Sequence, residues 1–290
     1  MRIFSMAALA LALIPVTVQA QQADGDQIVV TGMPDDPAAI SDFVDAASSR
    51  TADGHIARWN SPICPEVTGL RDDLANYVEQ TVTAVAQAVG ARAHSGDCDA
   101  NIVIVFMREP SEFVETLRRQ RPAHLASLDL RERQALASSD AAARSWSVNE
   151  FRTRDGRVVQ QSNGPNIDGN FEQGGSRGVA SRISNELRAD FSTVYMLIDL
   201  DRMEGVTMQQ LSAFVALEAL TAADTSAPMR PERTILSLFG SAAEAPADLT
   251  DWDVAYLRAL YGTEPAQAAE TQRSAIAGRM RDLLTAGPGD

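Results

Sequence analysis

The chain contains no lysine: all 25 basic residues are arginine. Arginine is the better residue for fixed bidentate pairing with carboxylates, although base composition of the coding DNA accounts for the skew more simply. Histidine is nearly as scarce. His55, His94 and His124 are widely separated, so no two of them share a helical turn as metal ligands. Two cysteines without a nearby Cys/His pair lack the spacing of a structural zinc site. Positive charge is also short, with 39 acids giving a formal net charge of −14. Such a surface repels nucleic acid and anionic headgroups, whose binding needs a basic face that displaces counterions. Beyond the first twenty residues no run is apolar enough for a membrane span, which needs about 20 residues.

That first stretch, "MRIFSMAALALALIPVTVQA", reads as a signal peptide. Arg2 precedes a short apolar core, and Val18 and Ala20 supply small residues for cleavage after Ala20. No cysteine follows to carry a lipid anchor. The expectation is a protein exported to the periplasm or secreted, with no membrane span once the leader is removed. Residues 21–45 are acidic and contain two prolines, which suggests a flexible arm. Residues 46–290 read as one globular domain, since 45% hydrophobic and 22% charged residues are ordinary for a chain that buries a core. In an exported chain the pair Cys64 and Cys98 is expected to form a disulfide.

Hydrophobic periodicity divides the rest. "VTGLRDDLANYVEQTVTAVAQAVG" repeats apolar residues from Leu70 to Val89 at helical spacing and ends at Gly90. A short buried strand follows Cys98. Pro110 and Pro122 bracket one helix, and "LDLRERQALAS" is another. "SWSVNEFRTRDGRVVQQ" alternates around Asp155-Gly156, a hairpin signal. "FSTVYMLIDL" is the strongest strand. Three helices close the chain: one capped by Thr207, one running from Thr250 to a stop at Gly262, and one over about 266–284. Mixed strands and helices without a repeated unit predict an α+β fold.

The order in residues 192–262 resembles the zincin metallopeptidases, the metzincin and matrixin-like branch in particular. A strand leads into a central helix, "QLSAFVALEALTAAD". A "TILSLF" turn and the helix "LTDWDVAYLRALYG" follow. The resemblance implies a small mixed sheet packed with a central buried helix and C-terminal helices. In that family the helix carries His-Glu-x-x-His, two histidines for zinc and a glutamate that activates water, and a methionine turn follows it. Here Phe214 and Glu218 occupy the histidine positions and Val215 the glutamate position. Leu220 falls on a usual leucine, Thr221 on a usual glycine, and Leu236 replaces the turn methionine. A catalytic zinc normally has three protein ligands, and this frame supplies at most one. The resemblance therefore implies a fold without zinc peptidase chemistry and without a cofactor.

Glu218 is the one catalytic candidate on this helix. As a general base or ligand contact it would titrate abnormally; as a structural residue it would reach solvent at the helix edge or pair with an arginine, because burying an unpaired charge is costly. The structural role is the expectation. "GGSRGVASRI" (174–183) lacks the preceding strand of a nucleotide loop and reads as a glycine loop whose arginines, with Arg188 nearby, pair with acids. "DLDRMEG" (199–205) lacks the acid spacing of an EF-hand and reads as an acidic turn. Ser176 lacks the glycines of a nucleophile elbow. "QIVVTG" resembles a TonB box, and Ile28, Val29, Val30, Thr31 and Gly32 would add an extended strand to TonB. No receptor barrel follows it. Three functions stand: a non-catalytic protein binding an unknown protein or small ligand, a divergent hydrolase using Glu218, Asp199 or Asp201 without zinc, and an envelope protein engaging TonB through its arm.

Overall fold

A computed structural model describes residues 36–51, 54–159, 187–223, 233–240 and 245–286. Their order is α1 (Pro37–Ala46), β1 (Pro65–Thr68), α2 (Asp72–Ala88), β2 (Ile102–Met107), α3 (Pro110–Gln120), α4 (Leu130–Ser138), β3 (Ala143–Thr153), β4 (Leu187–Asp199), α5 (Met208–Thr221), α6 (Asp251–Gly262) and α7 (Ala269–Ala286). The class is the expected α+β.

The arm expected over 21–45 ends earlier. Pro37 opens α1 and Asp36 caps it, accepting from the Ala38 amide at 3.0 Å. Ile40, Phe43 and Val44 are buried in the main core. Their i, i+3, i+4 spacing makes one apolar stripe, which the acids on the opposite face disguise in overall composition. The helix read from Val67 also begins later. Pro65–Thr68 is a strand, Gly69 turns the chain at φ +87°, and α2 starts at Asp72 with Asp72 and Asp73 on its positive end. The remaining helices keep close to their punctuation: α3 between its prolines, α5 behind Thr207 and α6 behind Thr250. The hairpin turn at Asp155-Gly156 is present too, with Val159 donating to the Phe151 carbonyl at 2.8 Å.

The four strands form one mixed sheet in the order β1-β2-β4-β3. β1, β2 and β4 are parallel, and β3 lies antiparallel on β4. α2 makes the crossover between β1 and β2. β1 exposes almost no donor at its outer edge. The Cys64 carbonyl accepts from the Asn101 and Ile102 amides on the β2 side, so the backbone polar groups of residues 65 and 67 point toward the outer edge. Pro65 has no N–H, and the Val67 amide donates to the Glu79 carboxylate at 2.8 Å. An edge blunted this way does not template another strand.

The sheet has a core on each face. Ile102, Ile104, Phe106, Val194, Met196 and Ile198 face α2, α5, α6 and α7 in the main core. Trp146 and Leu197 face α3 and α4 in a smaller cluster with Val114 and Leu125. The register Ser145↔Met196 and Arg144↔Leu197 therefore places Ser145 on the α5 face and Arg144 on the α3–α4 face, because successive side chains alternate. Cys64 and Cys98 are bridged across a Cα separation of 6.2 Å. No helix among the described residues is long and apolar enough to cross a membrane.

Candidate functional site

α5 is apolar almost all round, so it is held within the core rather than laid across a surface. All residues from Leu211 to Thr221 are buried. Its start is a reciprocal capping box: the Gln210 amide donates to Thr207 Oγ1 at 3.2 Å, and the Thr207 amide donates to Gln210 Oε1 at 3.1 Å. A buried helix end must also find donors for its last four carbonyls. The Glu218 carbonyl accepts from the Ala222 amide at 2.7 Å and that of Thr221 from the Ser49 amide at 3.3 Å. Trp59 Nε1 donates to the Ala219 carbonyl, and the Tyr261 hydroxyl donates to that of Leu220, each at 2.8 Å. Burial pushes the Tyr261 phenol above its ordinary value, so it remains a donor at neutral pH.

The three side chains that the resemblance would set at motif positions are closed off. Phe214 is 1% exposed, Val215 0% and Glu218 1%. Phe214 meets Phe239 edge to face, with ring centroids 4.9 Å apart. Neither residue has an atom that could hold a metal or take a proton. Glu218 does not reach solvent, which corrects one half of the structural expectation. The Ser145 hydroxyl donates to its Oε1 from β3, a link across 73 positions that no local pattern in the sequence announces. With apolar side chains at two of the three positions, the donor set does not fit zinc. Among the described residues, no three His, Cys, Asp or Glu side chains gather as a metal site requires.

The other proposed acids stand elsewhere. Asp199 ends β4 with the parity of Leu197 and acts on the charge of Arg144, so it lies on the face opposite Glu218. It caps the following turn by accepting from the Asp201 amide at 3.0 Å. Asp201 is exposed and pairs with Arg108 at 3.1 Å. The reading of 199–205 as an acidic turn is what the geometry gives, and the three acids do not converge. Arg188 does pair with an acid, Asp190, at 3.0 Å. A groove of about 390 Å³ beside the disulfide is lined by α2 residues and His94. Another of about 360 Å³ lies between α1 and α7. Neither contains a residue of α5. The glycine loop at 174–183, Ser176 and the arm from Ile28 to Gly32 lie outside the described residues.

No protein-family model, curated protein or solved structure matches the chain.

The turn after α5 is tied to α6 by one buried carboxylate. Asp253 Oδ2 accepts from the Ile235 amide at 3.0 Å and from the Thr250 amide at 2.9 Å, and the Asp253 amide returns a bond to Thr250 Oγ1. Leu236, the next residue after Ile235, is buried as well. Asp253→Ala would leave two amides without their acceptor, and we expect a loss of about 2 kcal/mol in urea unfolding. Burial pushes the Asp253 carboxyl above its ordinary 3.8, against the opposing hydrogen bonds from Thr234, Thr250 and Ile235. The folded state then holds this proton to higher pH than the unfolded state. Its contribution to stability is full below the unfolded value and is lost as pH rises through the folded one. Asp253→Asn keeps an acceptor oxygen and removes the titration. From about pH 4 upward, wild-type stability should therefore fall relative to that of the asparagine variant. Parallel pH profiles would refute the assignment.

Proposed function

We propose that this chain is a zincin-like domain that has lost its metal site and acts by binding a protein or small ligand, not by catalysis. The observation that carries the reading is the closed packing of Phe214 and Val215 where ligand and base would stand. The surrounding frame supports it as well. A β4 strand leads into a central buried helix, a turn at Thr234–Ser237 follows, and Asp253 near the start of α6 fastens that turn. Export to the periplasm or beyond belongs to the same proposal, supported by the Cys64–Cys98 bridge.

Metal analysis of the purified full chain, with peptide hydrolysis measured with and without a chelator, tests the reading. We expect zinc far below one ion per chain and no chelator-sensitive hydrolysis. Stoichiometric zinc together with activity that a chelator abolishes would overturn it.

A further inference from the structure

The average charge of the chain conceals a local exception where α3 runs into α4. The two helices are antiparallel: Ser111 at the start of α3 donates to the carbonyl of Ser139, just beyond the end of α4, at 3.4 Å. The last turn of α3 and the first turn of α4 therefore share one end. Residues 117–133 bring five arginines to that end, Arg118, Arg119, Arg121, Arg131 and Arg133, against two acids, Asp129 and Glu132.

Those two acids are engaged with backbone. Asp129 Oδ1 accepts from the Arg131 and Glu132 amides at 2.7 and 2.8 Å, and Glu132 Oε2 accepts from the Asp129 amide at 2.7 Å. Arg118 pairs with Glu115 at 2.9 Å, and Arg133 donates to the Leu128 carbonyl at 2.8 Å. Arg119, Arg121 and Arg131 are exposed and make no ion pair among the described residues. The same end carries Leu130, 82% exposed at the first position of α4. A single exposed leucine means little; one held by a capping box at the same helix-pair end as three exposed arginines that make no ion pair among the described residues is a different arrangement.

The tip is also firmly mounted. Leu125 is buried in the smaller core, Trp146 Nε1 donates to the His124 carbonyl at 2.9 Å, and His124 Nδ1 lies 2.9 Å from the Tyr195 hydroxyl.

We propose that this tip docks the protein on an anionic phospholipid bilayer, with Arg119, Arg121 and Arg131 on headgroup phosphates and Leu130 in the headgroup–acyl boundary. Guanidinium groups match phosphate geometry, and an apolar residue fringed by basic ones is the pattern of interfacial binding. The helix-pair end projects its leucine outward, which suits a flat surface better than a clasped peptide. The net negative charge does not forbid this, since the Debye length is about 10 Å at 0.1 M salt and the nearest charges dominate at contact. The proposal does not depend on the loss of a metal site.

Sedimentation of the full chain with lipid vesicles tests it. At about 0.1 M salt the protein should partition onto phosphatidylcholine vesicles containing phosphatidylglycerol and not onto phosphatidylcholine alone. The triple variant R119E/R121E/R131E should lower that partition at least about tenfold, and Leu130→Ser should lower it several-fold. Both should melt as the wild type does, since these side chains are exposed. Equal partition onto both vesicle types, or partition that survives the triple reversal, would overturn the proposal. So would binding to polyglutamate without binding to anionic vesicles, which would assign the tip to an acidic protein partner.

Discussion

Gly69→Ala is expected to destabilise the fold by at least about 3 kcal/mol, measured as a lowered urea midpoint. Two penalties coincide at this glycine. Its backbone is left-handed at φ +87°, a conformation that costs a residue bearing a Cβ about 1–2 kcal/mol. A Cβ built there would also lie 1.8 Å from the Phe106 carbonyl oxygen and 2.8 Å from the carbonyl carbon. Both atoms belong to the backbone of β2, so no side chain can swing aside. Either β1 separates from β2 or the start of α2 moves, and overpacking of this kind costs about 1–3 kcal/mol more. Gly90→Ala is the control. Gly90 has nearly the same φ, +88°, yet nothing lies within 4 Å of the added carbon. It should show the conformational penalty alone, and the difference between the two variants measures the close approach. Equal losses would mean that β1 and β2 are not held as described.

What the sequence revealed followed from local punctuation. Pro110 and Pro122 bracket α3, Thr207 and Thr250 cap α5 and α6, and each acts within a few residues of itself, so each is legible without the fold. β1 was hidden because it is four residues long and abuts a run with helical period; only its parallel pairing with β2 makes Pro65–Thr68 a strand. α1 was hidden because its three core residues sit among acids. The apolar character of α5 was plain, and burial follows from it.

The chemistry around Glu218 was not legible, for a topological reason. Ser145 becomes its neighbour only through the register of β3 on β4. The same register places Asp199 on the opposite face, although sequence order sets it closer to Glu218 than Ser145 is. Alternation along a strand has a direction only after pairing fixes which face is which. The donors that close the end of α5 have the same origin: Ser49 and Trp59 come from the connection between α1 and β1, and Tyr261 from α6.

The second large effect concerns the disulfide, at the opposite end of β1 from Gly69. Cys64 and Cys98 are 34 positions apart, and closing a loop of that length removes roughly 3–4 kcal/mol of entropy from the unfolded chain. The native state adds polar ties at the same place. The Cys64 amide donates to Asn101 Oδ1 at 2.7 Å, and Asn101 Nδ2 donates to the Pro62 carbonyl at 3.0 Å. These bonds do not need the bridge, so the reduced protein keeps its strand register and loses mainly the constraint on the unfolded state. The double variant C64A/C98A should therefore fold, with a stability lower by about 3 kcal/mol and a melting temperature lower by about 10 °C. Reductant should lower the wild type by a similar amount and leave the variant unchanged. A wild type indifferent to reductant would show that the bridge adds no stability. A variant that fails to fold at all would show that Asn101 and its bonds cannot hold β1 against β2 without it.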